Sequence, residues 1–184
     1  KVDWNGGNDL QAKMASLDYR FSQTVVGNLM RWNSEFPKLQ LWQDSGNGPG
    51  ADVNTCYGGF WLHKLYPEEI SESVWRKVPN STLYQLNEAY LNYAEALNEY
   101  NEGPTQEAYD AINTIRKRSG QPDLPTGLGY LEFRAKVRNE RAIELAFDGH
   151  RFYDIRRWMI AEEEGVMQGG MLGIKIYQIP ESTE

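Results

Sequence analysis

The chain has 184 residues, of which 24% are charged and 40% hydrophobic, and its formal net charge is −7. That length can bury one sizeable core, and the acidity excludes a nucleic-acid backbone as partner. A single cysteine, Cys56, excludes an intrachain disulfide framework and any multi-thiol metal site, and no apolar run approaches the ~18 residues a spanning helix needs.

Residues 1–80 are rich in Gly, Asn, Asp and aromatics, with no sustained helical period, and predict a loop-rich zone. It holds Trp4, Trp32, Trp42, Tyr57, Trp61 and Trp75, so five of the six tryptophans fall in it. Amide and charged groups flank several of them: Asn5, Asn8, Arg31, Asn33, Gln43 and Asp44. Sugar recognition needs that mixture, because a pyranose stacks its C–H face on an aromatic ring while its hydroxyls seek amides and carboxylates. The candidate ligand-binding residues are therefore Trp4, Trp32, Trp42, Arg31, Asn33 and Asp44. Trp61 lies in Gly59-Phe-Trp-Leu62, which reads as a strand, and it is assigned with Trp75 to packing. Asp44 to Asp52 sets oxygen donors among glycines but lacks the spacing and closing Glu of a calcium loop, so it reads as plain loop.

Residues 81–164 predict a helical scaffold. Ser81 can cap a helix running to about Tyr100, with Leu83, Leu86, Ala89, Tyr90, Tyr93, Ala94, Leu97 and Tyr100 as its apolar face. Asn87, Glu88, Asn92, Glu95, Asn98 and Glu99 form its polar face. Gly103-Pro104 breaks it, Thr105 caps the next helix, and that helix buries Ala108, Ala111, Ile112 and Ile115 before Gly120. Small residues at Ala94 and Ala108 let the two approach closely, as one tetratricopeptide-type hairpin. One such unit cannot bury its faces alone.

From Tyr130 onward charge and apolarity are interleaved. At about 100° per residue Leu131, Phe133, Val137, Ala142, Ile143, Leu145 and Phe147 fall on every side of a helix. No apolar stripe exists, so some of Arg134, Glu140, Arg141 and Glu144 must lie inside, and buried charges persist only when paired. Gly149 fits the residue just past a helix, and a new helix follows with Phe152, Ile155, Trp158 and Met159 on one face and Arg151 beside them. Arg151 is expected to reach back to Glu140 or Glu144, with Asp154 and Arg157 pointing elsewhere. The expected ion network is Glu140, Arg141, Glu144, Arg151, Asp154 and Arg157. Residues 165–184 read as a Gly-rich turn and a short strand, Leu172 to Ile179, with partial alternation.

Catalysis has no positive signal. Glu140 and Glu144, with Asp148 nearby, could suggest a glycosidase pair, but arginines around the two glutamates would keep them ionised, and a general acid needs a raised pKa. His63 and His150 stand in unrelated contexts without metal spacing, and no nucleophile-elbow, phosphate-loop or dinucleotide motif occurs. No metal and no cofactor is expected.

Four blocks, Ala89-Tyr-Leu-Asn-Tyr-Ala-Glu-Ala96, Ala111-Ile-Asn-Thr-Ile-Arg-Lys-Arg118, Arg138-Asn-Glu-Arg-Ala-Ile-Glu-Leu-Ala-Phe-Asp-Gly149 and Arg151-Phe-Tyr-Asp-Ile-Arg-Arg-Trp158, together resemble the SusD/RagB family of Bacteroidetes surface glycan-binding lipoproteins. Gly59-Phe-Trp-Leu-His-Lys64 looks like that family's strand ending in Lys, and the blocks span roughly 57–160 in the right order. Gln85-Leu-Asn-Glu88 departs from the Arg-Leu/Tyr-Ala-Glu usual there. The resemblance implies a mainly α fold in which a tetratricopeptide-type hairpin packs with further helices, long loops and a few short strands. The whole chain, 1–184, would be the C-terminal portion of one such domain, since it opens Lys-Val-Asp-Trp with neither signal nor lipid-bearing Cys. It further implies non-catalytic oligosaccharide binding at the outer-membrane surface and delivery to a SusC-like TonB-dependent transporter, with membrane contact only through a lipid anchor outside this chain. The alternative is a helical protein-interaction module with no sugar site.

Overall fold

The structure is a computed structural model that describes residues 4–45, 47–48, 58–66, 82–168 and 173–178. Tyr57, Trp75, Ser81 and most of the 44–52 loop lie outside the described residues. Two compact units are present: Lys1–Asn80 with Met167–Glu184, and Ser81–Val166.

In the first unit, short helices α1 (Leu10–Ala15) and α2 (Arg20–Thr24) lead into a strand, β1 (Val25–Val26). It pairs antiparallel with β2 (Trp61–Leu62), Val25 opposite Leu62 and Val26 opposite Trp61. Two residues per strand cannot hold a sheet, so packing must. Val26, Leu39, Leu41 and Ile176 form a buried cluster, with Trp32, Phe36, Trp42 and Trp61 around it. Residues 173–178 run beside this cluster rather than as a regular strand: Ile174 N–H donates to Gly58 O at 3.2 Å, and Gln43 N–H donates to Ile176 O at 2.7 Å. Alternation nonetheless holds, with Ile176 buried and Lys175 and Tyr177 exposed. Gly59 makes the crossing possible. Its φ is +80°, and a Cβ there would sit 2.6 Å from Ile174 O.

The second unit is helical: α3 (Leu86–Tyr100), α4 (Gln106–Arg118), α5 (Tyr130–Glu144) and α6 (His150–Arg157). Thr105 caps α4 by accepting from Ala108 N–H at 3.3 Å, as the sequence predicts. Glu132 reaches back to Gly129 N–H at 3.0 Å to start α5. Ala94 and Ala108 are fully buried where α3 meets α4, and Ala111, Ile112, Phe133 and Val137 complete that core. The hairpin and its third helix thus form as expected. The face of α3 forms only in part. Ala94 is buried and Tyr90 and Leu97 pack against the core as expected, whereas Leu83, Leu86, Tyr93 and Tyr100 are exposed and Leu91 and Asn98 turn inward instead. Contact with α4 and α5 selects which part of the predicted face is covered. Asn98, read as a surface amide, is wholly buried and donates to Tyr130 O.

The ionic interior is built differently from its sequence expectation. Glu140, Arg141 and Glu144 are all buried. Arg116 meets Glu140 at 2.7 Å, and Arg118 of the same helix pairs with Glu144, so α4 supplies the cations. Asn87, within the stretch that departs from the family pattern, donates to Glu144 at 2.6 Å. Arg141 donates through Nε to Asp154 at 2.6 Å and through Nη1 to Asn92 at 2.6 Å. Arg157 bridges Asp154 at 3.0 Å and also pairs with Glu95. Two expectations are therefore corrected. Arg151 is exposed and does not reach back to α5, and Asp154 is buried rather than pointing away, with Arg157 exposed but paired to it and to Glu95. The turn at 145–149 sets this rotation. Gly149 has φ +82° and Phe147 φ +65°, a conformation that costs a non-glycine residue energy, so α6 starts with Asp154 facing Arg141.

Candidate functional site

A groove of about 870 Å³ opens within the first unit. It is made where the chain before α1, α1 itself, the loop after β1 and the 173–178 segment come together. Trp4, Trp42 and Tyr177 give it three aromatic rings, and Asn8, Gln11 and Gln178 give it side-chain amides. Local contacts position these groups. Trp4 stacks edge-on against Phe60 at 6.3 Å between centroids, yet keeps 37% of its surface in solvent. Trp42 packs on the Val26–Leu41 cluster and presents its remaining surface to the groove. Gln11 Nε2 donates to Asn28 O at 2.9 Å, and buried Asn28 Oδ1 accepts from Leu41 N–H at 2.8 Å, tying α1 to the loop. Leu29 keeps a φ of +62° and lines the groove beside them.

Rings with flanking amides in an open groove suit a sugar: flat C–H faces against indole, hydroxyls against Asn and Gln. Among the described residues of this lining Asp9 is the one carboxylate, and it is held by Lys13 at 3.1 Å.

The six sequence-predicted ligand residues divide. Trp4 and Trp42 line the groove. Trp32 is half-buried; its Nε1 donates to Leu62 O at 3.0 Å and its ring meets Trp61 at 5.2 Å, edge to face. Asn33 is buried and its Oδ1 accepts from the N–H groups of Glu35 and Phe36, holding the turn that closes the loop. Arg31 and Asp44 are exposed away from the lining, and Asp44 accepts from neighbouring Gln43 at 3.0 Å. The structure does not bring these four to the groove. Sequence reasoning missed Tyr177, Lys175, Lys13 and Lys38, which line it. The alternation Ile174-Lys-Ile-Tyr177 already marked Lys175 and Tyr177 as outward-facing.

In the second unit a more open hollow of about 490 Å³ is lined by Glu88, Asn92, Glu95, Glu99, Arg141 and Arg157. Its charges answer one another. Hydrogen bonding to Glu95, then to Asp154, raises the Arg157 pKa above the ordinary arginine value. Trp158 Nε1 also donates to Glu95 at 2.7 Å, and Arg138, its pKa lowered first by burial and then by Arg134, lies 4.7 Å from the Trp158 ring centroid. His63 Nδ1 contacts Ser22 O at 2.8 Å and His150 lies 3.6 Å from Glu88, both tethers between elements.

The sequence model of the SusD family matches residues 4–184. The chain belongs to the SusD family. It is 29% identical over 157 residues to a SusD-like protein of Formosa agariphila, covering 83% of this chain and 25% of that protein. A second SusD-like protein of the same organism is 40% identical over 83 residues, 41% of this chain and 16% of its own. The fold agrees with a SusD-like carbohydrate-binding protein of Bacteroides fragilis at a TM-score of 0.66 and 28% identity, over 79% of this chain and 29% of that one. It also agrees with a SusD homologue of Bacteroides thetaiotaomicron at 0.60 and 30% identity, over 82% and 32%. This SusD family chain thus spans about a quarter of the length of the first curated relative it matches.

Proposed function

We propose that this chain is part of a surface protein of the outer membrane that binds oligosaccharides without turning them over and passes them to a SusC-like TonB-dependent transporter. Family membership supports the role, and the likeness to a SusD-like carbohydrate-binding protein supports the ligand class. The observation that carries it here is the groove in which Trp4, Trp42 and Tyr177 stand among Asn8, Gln11 and Gln178. A lipid anchor outside this chain provides the membrane contact; among the described residues no helix is long and apolar enough to cross a bilayer. An open groove orders little and excludes little water, so affinity falls in the roughly micromolar to millimolar range, about −8 to −4 kcal/mol. Weak binding suits a carrier that must release.

Isothermal titration with a panel of oligosaccharides tests this. Trp4→Ala and Trp42→Ala should each weaken binding, whereas unchanged affinity in both removes the groove from the site. A second reading takes the helical unit as a protein-interaction module, favoured by Leu86, Tyr93 and Tyr100 exposed at seven-residue spacing along α3. Capture of a partner chain that is lost in Tyr93→Ala, with no oligosaccharide bound, would select it.

A further inference from the structure

The charge of the groove is opposite to that of the chain. Among the described residues its lining holds three lysines, Lys13, Lys38 and Lys175, against one carboxylate, Asp9, in a protein whose formal net charge is −7. Lys13 is occupied: it pairs with Asp9 at 3.1 Å and donates to Gly6 O at 2.9 Å. Lys38 and Lys175 are exposed and have no anionic partner among the described residues; Lys175 Nζ lies 5.6 Å from the Tyr177 ring centroid. Two uncompensated ammonium groups therefore share one concave surface with stacking rings and amides.

We infer that the groove takes an anionic oligosaccharide, one carrying carboxylate or sulfate groups. This rests on the glycan-binding reading of the same groove and narrows it. A neutral sugar would leave Lys38 and Lys175 with water alone, whereas uronate or sulfate groups flanking a stacked pyranose give each a counter-charge. Concave geometry strengthens the effect, since low-dielectric walls focus the field of the two ammonium groups onto a bound chain. Trp4, Trp42 and Tyr177 distinguish a sugar from a simple polyanion, which offers no C–H face to stack.

The test titrates the protein with trigalacturonate and with a carrageenan tetrasaccharide, each against its neutral counterpart, the methyl ester and the desulfated sugar. Lys38→Gln with Lys175→Gln, and Trp42→Ala, are the variants; both lysines are exposed, and retained circular dichroism shows that the lysine double variant folds. At low salt at least one charged sugar should bind roughly tenfold more tightly than its neutral form, and the double variant should remove that advantage, about threefold per lysine. Added salt should weaken the charged ligand and leave the neutral one. Equal binding of charged and neutral forms overturns the anionic assignment while the glycan reading stands. Binding of inorganic tripolyphosphate as tight as the charged sugar, insensitive to Trp42→Ala, also overturns it. Failure of every sugar to bind overturns both.

Discussion

Removing Asp154 is the sharpest perturbation of the helical unit. Its carboxylate accepts from Arg141 Nε at 2.6 Å and from Arg157 at 3.0 Å. Arg141 is only 5% exposed, so Asp154→Ala leaves a buried guanidinium with the neutral Asn92 oxygen as its other partner. Stranding one member of a buried pair costs about 3–5 kcal/mol, most of it the desolvation of the remaining charge. At a urea slope of about 2 kcal/mol/M, the unfolding midpoint followed by far-ultraviolet circular dichroism should fall by roughly 1.5–2.5 M. Arg151→Ala is the control, since that side chain is exposed on the same helix and its loss should stay within about 0.5 kcal/mol. Arg141→Met combined with Asp154→Leu removes both charges and should be less damaging than the two single changes added. A midpoint for Asp154→Ala matching that of Arg151→Ala would refute the ionic account of this interior.

Trp4→Ala and Trp42→Ala should each reduce oligosaccharide affinity roughly tenfold, about 1.4 kcal/mol, in calorimetric titration. Trp32→Ala should instead destabilise the first unit by about 3 kcal/mol, because it deletes the ring between Phe36 and Trp61, while the folded fraction binds as before. Gly59→Ala should destabilise by about 1–3 kcal/mol, since its Cβ meets the Ile174 carbonyl at positive φ; hydrogen exchange at the Ile174 and Gln43 amides reads the loosening.

Much of the helical unit was legible because its punctuation is local. Thr105, Gly103-Pro104 and Gly120 bound α4, and the absence of an apolar stripe after Tyr130 required charges inside. Which charges meet was not legible. Arg151 and Asp154 sit one turn apart on α6, and only the backbone at Phe147 and Gly149 decides which of them faces α5. The face of α3 was legible only in part for a related reason: Ala94, Tyr90 and Leu97 pack inward as read, but the packing partner takes Leu91 and Asn98 rather than Leu86, Tyr93 and Tyr100. In the groove, Trp4 and Trp42 followed from aromatic rings set among amides. Trp32 carries the same local signal but is drawn inward by Phe36, Trp61 and Tyr66, residues that no short window around it contains together. Lys175 is separated from Lys13 and Lys38 by most of the chain, so their convergence depends on the crossing at Gly59 and the contacts of residues 173–178.

Hydroxyl-radical footprinting with and without saturating oligosaccharide tests the central claim most directly, because aromatic side chains report their own solvent exposure. Binding in the groove predicts protection of Trp4, Trp42 and Tyr177, with Tyr93 and Tyr100 on α3 unchanged. Protection confined to the α3 tyrosines, with the groove rings still fully reactive, would contradict it.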